Sequence, residues 1–138
     1  MSCVLRITGN NLDVDKFMKN SQLKPYRVDR KGQPIIRSAP KSKKANSSAL
    51  HFDVSDADFS ALDKQIKDAI NFLKKNKKYL KVIKRNRTVD SALLDFAITS
   101  RMKSKGTFVQ CDFFPAELLK LAGELNIGIE LSQYYNTR

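Results

Sequence analysis

The chain has 138 residues, 41% of them hydrophobic, and a formal net charge of +12. That length suits one domain with a real hydrophobic core, and no apolar run is long enough to cross a membrane as a helix. The opening residues, Met1 to Gly9, lack the basic start and long apolar stretch of a secretory signal, and read instead as a first strand.

In chain order, Cys3 to Thr8 alternates with Cys3, Leu5 and Ile7 on one side, and Gly9-Asn10-Asn11 turns the chain. Asp13 is placed as the N-cap of a short helix, Val14 to Asn20. Leu12 and Phe17 are spaced as a hydrophobic staple across that start. Pro25 to Val28 and Pro34 to Arg37 flank Arg30-Lys31-Gly32-Gln33, which predicts a hairpin of proline-bearing edge strands. Residues 38–48 carry Ser, Lys, Ala, Asn and Pro without a period, and are expected to form a flexible basic loop.

A strand over Ala49 to Val54 follows, and Ser55-Asp56-Ala57-Asp58 is expected to start the next helix. Phe59, Leu62, Ile66, Ala69, Ile70 and Leu73 recur at helical spacing. The helix is expected to run on through Tyr79, Leu80 and Ile83, with a break near Asn76. Leu94, Phe96 and Ile98 alternate with Asp95. Val109, Cys111 and Phe113 alternate with Gln110 and Asp112, which predicts a strand over Phe108 to Phe113. Pro115 opens a helix with Leu118, Leu121, Ala122 and Leu125 along its inner stripe. Asn126 ends it before a last strand, Ile127 to Gln133. These elements describe an α+β two-layer sandwich: a mixed, mostly antiparallel sheet with helices on one face. The sheet's other face would carry His51, Asp53, Asp95, Asp112 and Glu130. Both cysteines, Cys3 and Cys111, fall at core-facing positions. Buried thiols in an unexported chain are expected to stay reduced, which points to the cytoplasm.

The positive charge is segregated. Eight bases crowd residues 24–44, among them Arg30, Lys31 and Arg37, and eight more crowd residues 74–87, together sixteen of the 26 in the chain. Lys74, Lys78, Lys81 and Arg85 fall on one helical stripe. Like charges four residues apart cost about 0.2–0.5 kcal/mol per pair, so the pairs 74–78, 77–81 and 81–85 together cost on the order of 1 kcal/mol. An anionic partner would offset that cost; a solvated lysine-rich face is the plainer account. Sheet-face RNA readout needs exposed aromatics, whereas this face offers carboxylates that repel phosphates, so nucleic acid is expected only at the loop and the helix. His51 and the strand carboxylates have no metal-ligand spacing, no glycine-rich phosphate loop is present, and Cys111 has no base partner in the sequence. No catalytic constellation, metal site or cofactor is expected.

Several landmarks taken together resemble a known family. They are Leu5-Arg6-Ile7-Thr8-Gly9-Asn10-Asn11-Leu12-Asp13, Leu23-Lys24-Pro25, the Lys31-Gly32 turn, the long amphipathic helix, Phe114-Pro115-Ala116-Glu117-Leu118-Leu119-Lys120-Leu121-Ala122 and Ile127-Gly128-Ile129-Glu130-Leu131. The chain resembles the bacterial domain-of-unknown-function family numbered 4279 over nearly its whole length. Ser48-Ala49-Leu50 stands where that family's pattern usually has a tryptophan. The resemblance implies a small intracellular α+β domain and brings no catalytic residues.

The expectation is therefore a single domain over residues 1–138. Its function is that of a non-enzymatic bacterial binding module for a protein partner, a toxin or another acidic protein, with an immunity or antitoxin role as the sharpest form. Nucleic-acid binding through segments 24–44 and 74–87 is the alternative. The sequence leaves the oligomeric state open.

Overall fold

The computed structural model describes residues 1–102 and 105–135. Strand β1 (Cys3–Gly9) is the centre of a five-stranded sheet, because it is apolar on alternate positions and long enough to pair on both sides. It lies antiparallel to β3 (Ser48–Ser55) and to β4 (Ser91–Thr99). The short edge strand β2 (Arg27–Asp29) pairs antiparallel with β3, and β5 (Gly128–Tyr134) pairs parallel with β4, giving the order β2-β3-β1-β4-β5.

Three helices cover one face: α1 (Val14–Ser21), α2 (Leu62–Arg85) and α3 (Ala116–Glu124). Between helices and sheet sits one core, built from Cys3, Leu5 and Ile7 of β1, Leu50 and Phe52 of β3, and Leu94 and Phe96 of β4. Phe17, Leu73, Leu80 and Leu118 come down from the helices. The fold is the α+β sandwich that the alternating strands predict, with a mixed sheet.

Local chemistry sets most boundaries. The Asp13 side chain accepts the Lys16 N–H and caps α1, and Leu12 and Phe17 are both buried beside it. Asn126 adopts φ 58°, a left-handed conformation that asparagine tolerates, and turns the chain from α3 into β5.

Four local expectations are corrected. The Ser55–Asp58 stretch does not start the helix: Asp58 binds the Ser60 N–H and hydroxyl in a turn, and α2 begins at Leu62. Phe59 is thereby freed from the helical stripe and packs on Tyr134, ring centroids 5.4 Å apart. No break occurs at Asn76, whose amide donates to the Phe72 carbonyl one turn back and stays within the helix. The Pro25–Val28 and Pro34–Arg37 segments do not form a hairpin. Residues 33–35 instead face 43–45, through Ile35 N–H to Lys43 O and Ala45 N–H to Gln33 O, so the basic segment doubles back on itself.

The fourth correction is the largest. Residues 107–115 form no strand. Strand β5 pairs directly with β4, so the sheet offers this stretch no place beside β4. Val109, Cys111 and Phe113, read as core-facing, are all exposed. Only Phe114 turns inward, its ring centroid 5.2 Å from that of Phe96.

Candidate interaction surfaces

The face of the sheet away from the helices is built in rows. Arg27, His51, Arg6 and Leu93 stand across β2, β3, β1 and β4 in one row; Asp53, Val4, Asp95 and Glu130 stand across β3, β1, β4 and β5 in the next. Arg6 reaches two of the three acids of its neighbouring row, with Nη2 3.3 Å from Glu130 and 3.9 Å from Asp95. Ser132 donates to the other oxygen of Asp95 at 2.6 Å. Most carboxylates of the face are thus engaged, and Asp53 stands outside the Arg6 network.

Its most enclosed group is His51, 8% exposed and paired through Nε2 with Asp29. Burial pushes the imidazole below its ordinary value, with Arg27 and Arg6 adding to that effect. The Asp29 carboxylate pulls the other way without prevailing. Burial raises the Asp29 carboxyl, but hydrogen bonds from Arg27 and His51 outweigh it and hold that group below the usual carboxylate range. Although His51 lies on the face away from the helices, Tyr26 is tilted over it, ring centroids 6.1 Å apart, and helps to enclose it. Asp53 is exposed, yet partial desolvation of its carboxyl, together with nearby Asp56, raises its pKa.

Asp112 does not belong to this face. It lies on the irregular segment before α3, where it pairs with Arg101 at 3.0 Å. The grouping of His51 with Asp112 is therefore corrected: the two residues do not occupy neighbouring strands. Among the described residues, no group of three or more His, Cys, Asp or Glu side chains converges as a metal site would require.

The basic segments divide into engaged and free cations. Arg30 makes a two-pronged contact with Asp15, 2.7 and 2.9 Å, and ties the turn before β3 to α1. Lys31 is exposed, and its backbone N–H donates to Ser48. Arg37 has no ion pair among the described residues; with Tyr26, Ile35 and Ile36 it lines a groove of about 600 Å³ beside β2. On α2, Lys74 meets Glu117 at 2.6 Å and the adjacent Lys77 meets Glu124 at 3.5 Å, both acids on α3. The first half of the predicted stripe is thus partly neutralised across the helix pair. Lys78, Lys81 and Arg85 are exposed and carry no ion pair among the described residues.

Sequence reasoning missed a third surface. Phe108 is 92% exposed, Phe113 78% and Val109 70%, with Met102 nearby in sequence and also exposed. The segment that displays them is well tied. The Arg101 N–H donates to Gln110, its guanidinium to the Cys111 carbonyl and the Asp112 carboxylate, and Gln110 donates to Asp112. The available signal was the Phe108-Val109 and Phe113-Phe114 pairs flanking a short polar run, a pattern that strands and tied loops share.

No curated protein and no solved structure matches the chain. One family model does, described as Domain of unknown function (DUF4279), and it spans residues 1–136. With nearly the whole chain matched and landmark segments falling on β1, the N-cap of α1, α2, α3 and β5 of one sandwich, the protein belongs to the DUF4279 family.

Proposed function

We propose that the protein is a non-enzymatic binding module that engages a protein partner through residues 107–113. The observation that carries this reading is the outward display of Phe108, Val109 and Phe113 on a segment held by the Arg101–Gln110–Asp112 hydrogen bonds. Large apolar side chains grouped on a monomer's surface mark contact sites, and aromatic residues are enriched at interfaces. Holding them in place beforehand reduces the ordering cost of association. The net charge of +12 suits an acidic partner. An unpaired exposed Cys111 and an unpaired buried Cys3 suit a reducing compartment, the cytoplasm. An immunity or antitoxin role, in which the partner is a toxin, is the narrower form of the reading.

The test is affinity capture from host extract with wild-type protein, Phe108→Ser/Phe113→Ser and the distant control Lys41→Glu/Lys43→Glu. A partner retained by wild type and control but lost with the aromatic pair is the expected result. Equal recovery with the aromatic pair would overturn the reading. For the narrower form, co-expression with that partner should relieve its toxicity.

A further inference from the structure

At one end of the sandwich, α1 and the C-terminal end of α2 enclose a concavity of about 460 Å³ whose lining includes Lys16, Arg85 and Arg87. A second, of about 250 Å³, is lined by Lys81, Lys84 and Arg85 with Glu124 and Leu125. Arg85 lines both, so the two concavities are neighbours. None of these five cations has an ion-pair partner among the described residues. Two acids share the lining, and both are already engaged: Asp13 accepts the Lys16 backbone N–H, and Glu124 meets Lys77. The negative end of the α2 dipole amounts to roughly half an elementary charge, too little to balance five cations.

Uncharged donors add to the charge. The Asn86 carbonyl oxygen is taken by the Thr88 N–H and hydroxyl, which leaves its amide N–H groups without an acceptor among the described residues. Asn20 lines the same wall with its amide equally unengaged. Among the described residues, no aromatic side chain lines either concavity. Lys81 and Arg85 are one turn apart, about 6 Å along the helix, so the cations are spread along a track and not gathered at a point.

We propose that these neighbouring concavities bind the phosphodiester backbone of a nucleic acid, without base preference. The site is separate from the aromatic segment that carries the protein-partner reading, so either can fail without the other. Spaced cations match a chain of phosphates, and the lack of stacking platforms removes the means of reading bases.

The experiment is fluorescence polarisation of a dye-labelled, mixed-sequence single-stranded RNA against the full chain over a salt series. Arg85→Glu/Arg87→Glu should weaken binding at least tenfold at fixed salt, while Lys41→Glu/Lys43→Glu, with the same change in net charge, should have a much smaller effect. The milder Arg85→Gln/Arg87→Gln pair should lower the slope of log affinity against log salt by about 1.4, two contacts at about 0.7 each. Equal affinity for poly-U and poly-A completes the expected result, and a marked preference for either would overturn binding without base readout. Absence of wild-type binding, or equal weakening by the control pair, would overturn the proposal. So would displacement of the RNA by inorganic triphosphate at equal phosphate concentration, which would assign the site to a small polyphosphate.

Discussion

Asp29 holds two partners with its two oxygens: Oδ2 stands 3.0 Å from His51 Nε2, and Oδ1 accepts from Arg27 Nε at 2.9 Å. One carboxylate therefore fastens the three-residue edge strand β2 to β3, where the backbone ladder is shortest. The arrangement has a pH signature. Burial keeps His51 below its ordinary 6.5, so below that pH the unfolded chain binds more protons than the folded one. Its contribution is complete above about pH 6.5 and is lost as pH falls through the lower folded value. Asp29 sits below its ordinary 3.8, so its contribution survives until more acidic conditions. Tm should drop between pH 7 and pH 5, and His51→Gln, which keeps an N–H donor for Asp29, should flatten that interval. An identical slope in the variant would remove His51 as the cause.

Two glycines should respond to alanine with opposite signs. A Cβ on Gly9 would stand 2.1 Å from the Thr88 carbonyl oxygen and 2.9 Å from Leu12 Cβ, a clash with backbone that only a shift of the β1 end can relieve. Gly9→Ala should destabilise by about 1–3 kcal/mol in urea unfolding. Gly123 lies within α3 and meets nothing within 4 Å, so Gly123→Ala should stabilise by about 0.5–1 kcal/mol. Equal effects at the two sites would mean that the close approach of Gly9 to Thr88 is not decisive.

The two thiols should be kinetically distinct. Cys3 is fully buried, and burial, reinforced by Asp95, Asp53 and Asp68, pushes its thiol far up in pKa. Cys111 is exposed. A disulfide reagent should consume one thiol promptly in native protein and the second only with denaturant. Simultaneous reaction of both would contradict the packing of β1.

Alternation located β1, β3, β4 and β5 because each turns apolar side chains of one face toward the core, only partly buried in β5, and the apolar stripe of α2 was equally legible. The same rule failed at 108–113. Five alternating residues there satisfy the pattern, but a strand also needs a neighbour to pair with, and β5 holds that place. Pairing partners were likewise invisible at 33–35, where Gln33 and Ile35 bond to Ala45 and Lys43. At the candidate surfaces, the basic stripe was visible as spacing. The division between cations held by Glu117 and Glu124 and those left free at Lys81 and Arg85 depends on how α2 lies against α3. The Lys16 that α1 contributes to the same concavity is separated from Arg85 by half the chain, and no local pattern connects them.

The order β2-β3-β1-β4-β5 also governs how the molecule must assemble. Its central strand finds one neighbour at residues 48–55 and the other at 91–99, and no two strands among the described residues are joined by a tight turn. The chain therefore has no local strand pair from which a sheet can grow, and the N-terminal strand must wait for segments far along the sequence. Such non-local pairings require large loops to close before any ladder forms, which places folding toward the slow end for small domains, milliseconds to seconds. During that interval the alternating apolar faces lie open, and a strongly basic chain that repels its own copies is protected against pairing with them instead.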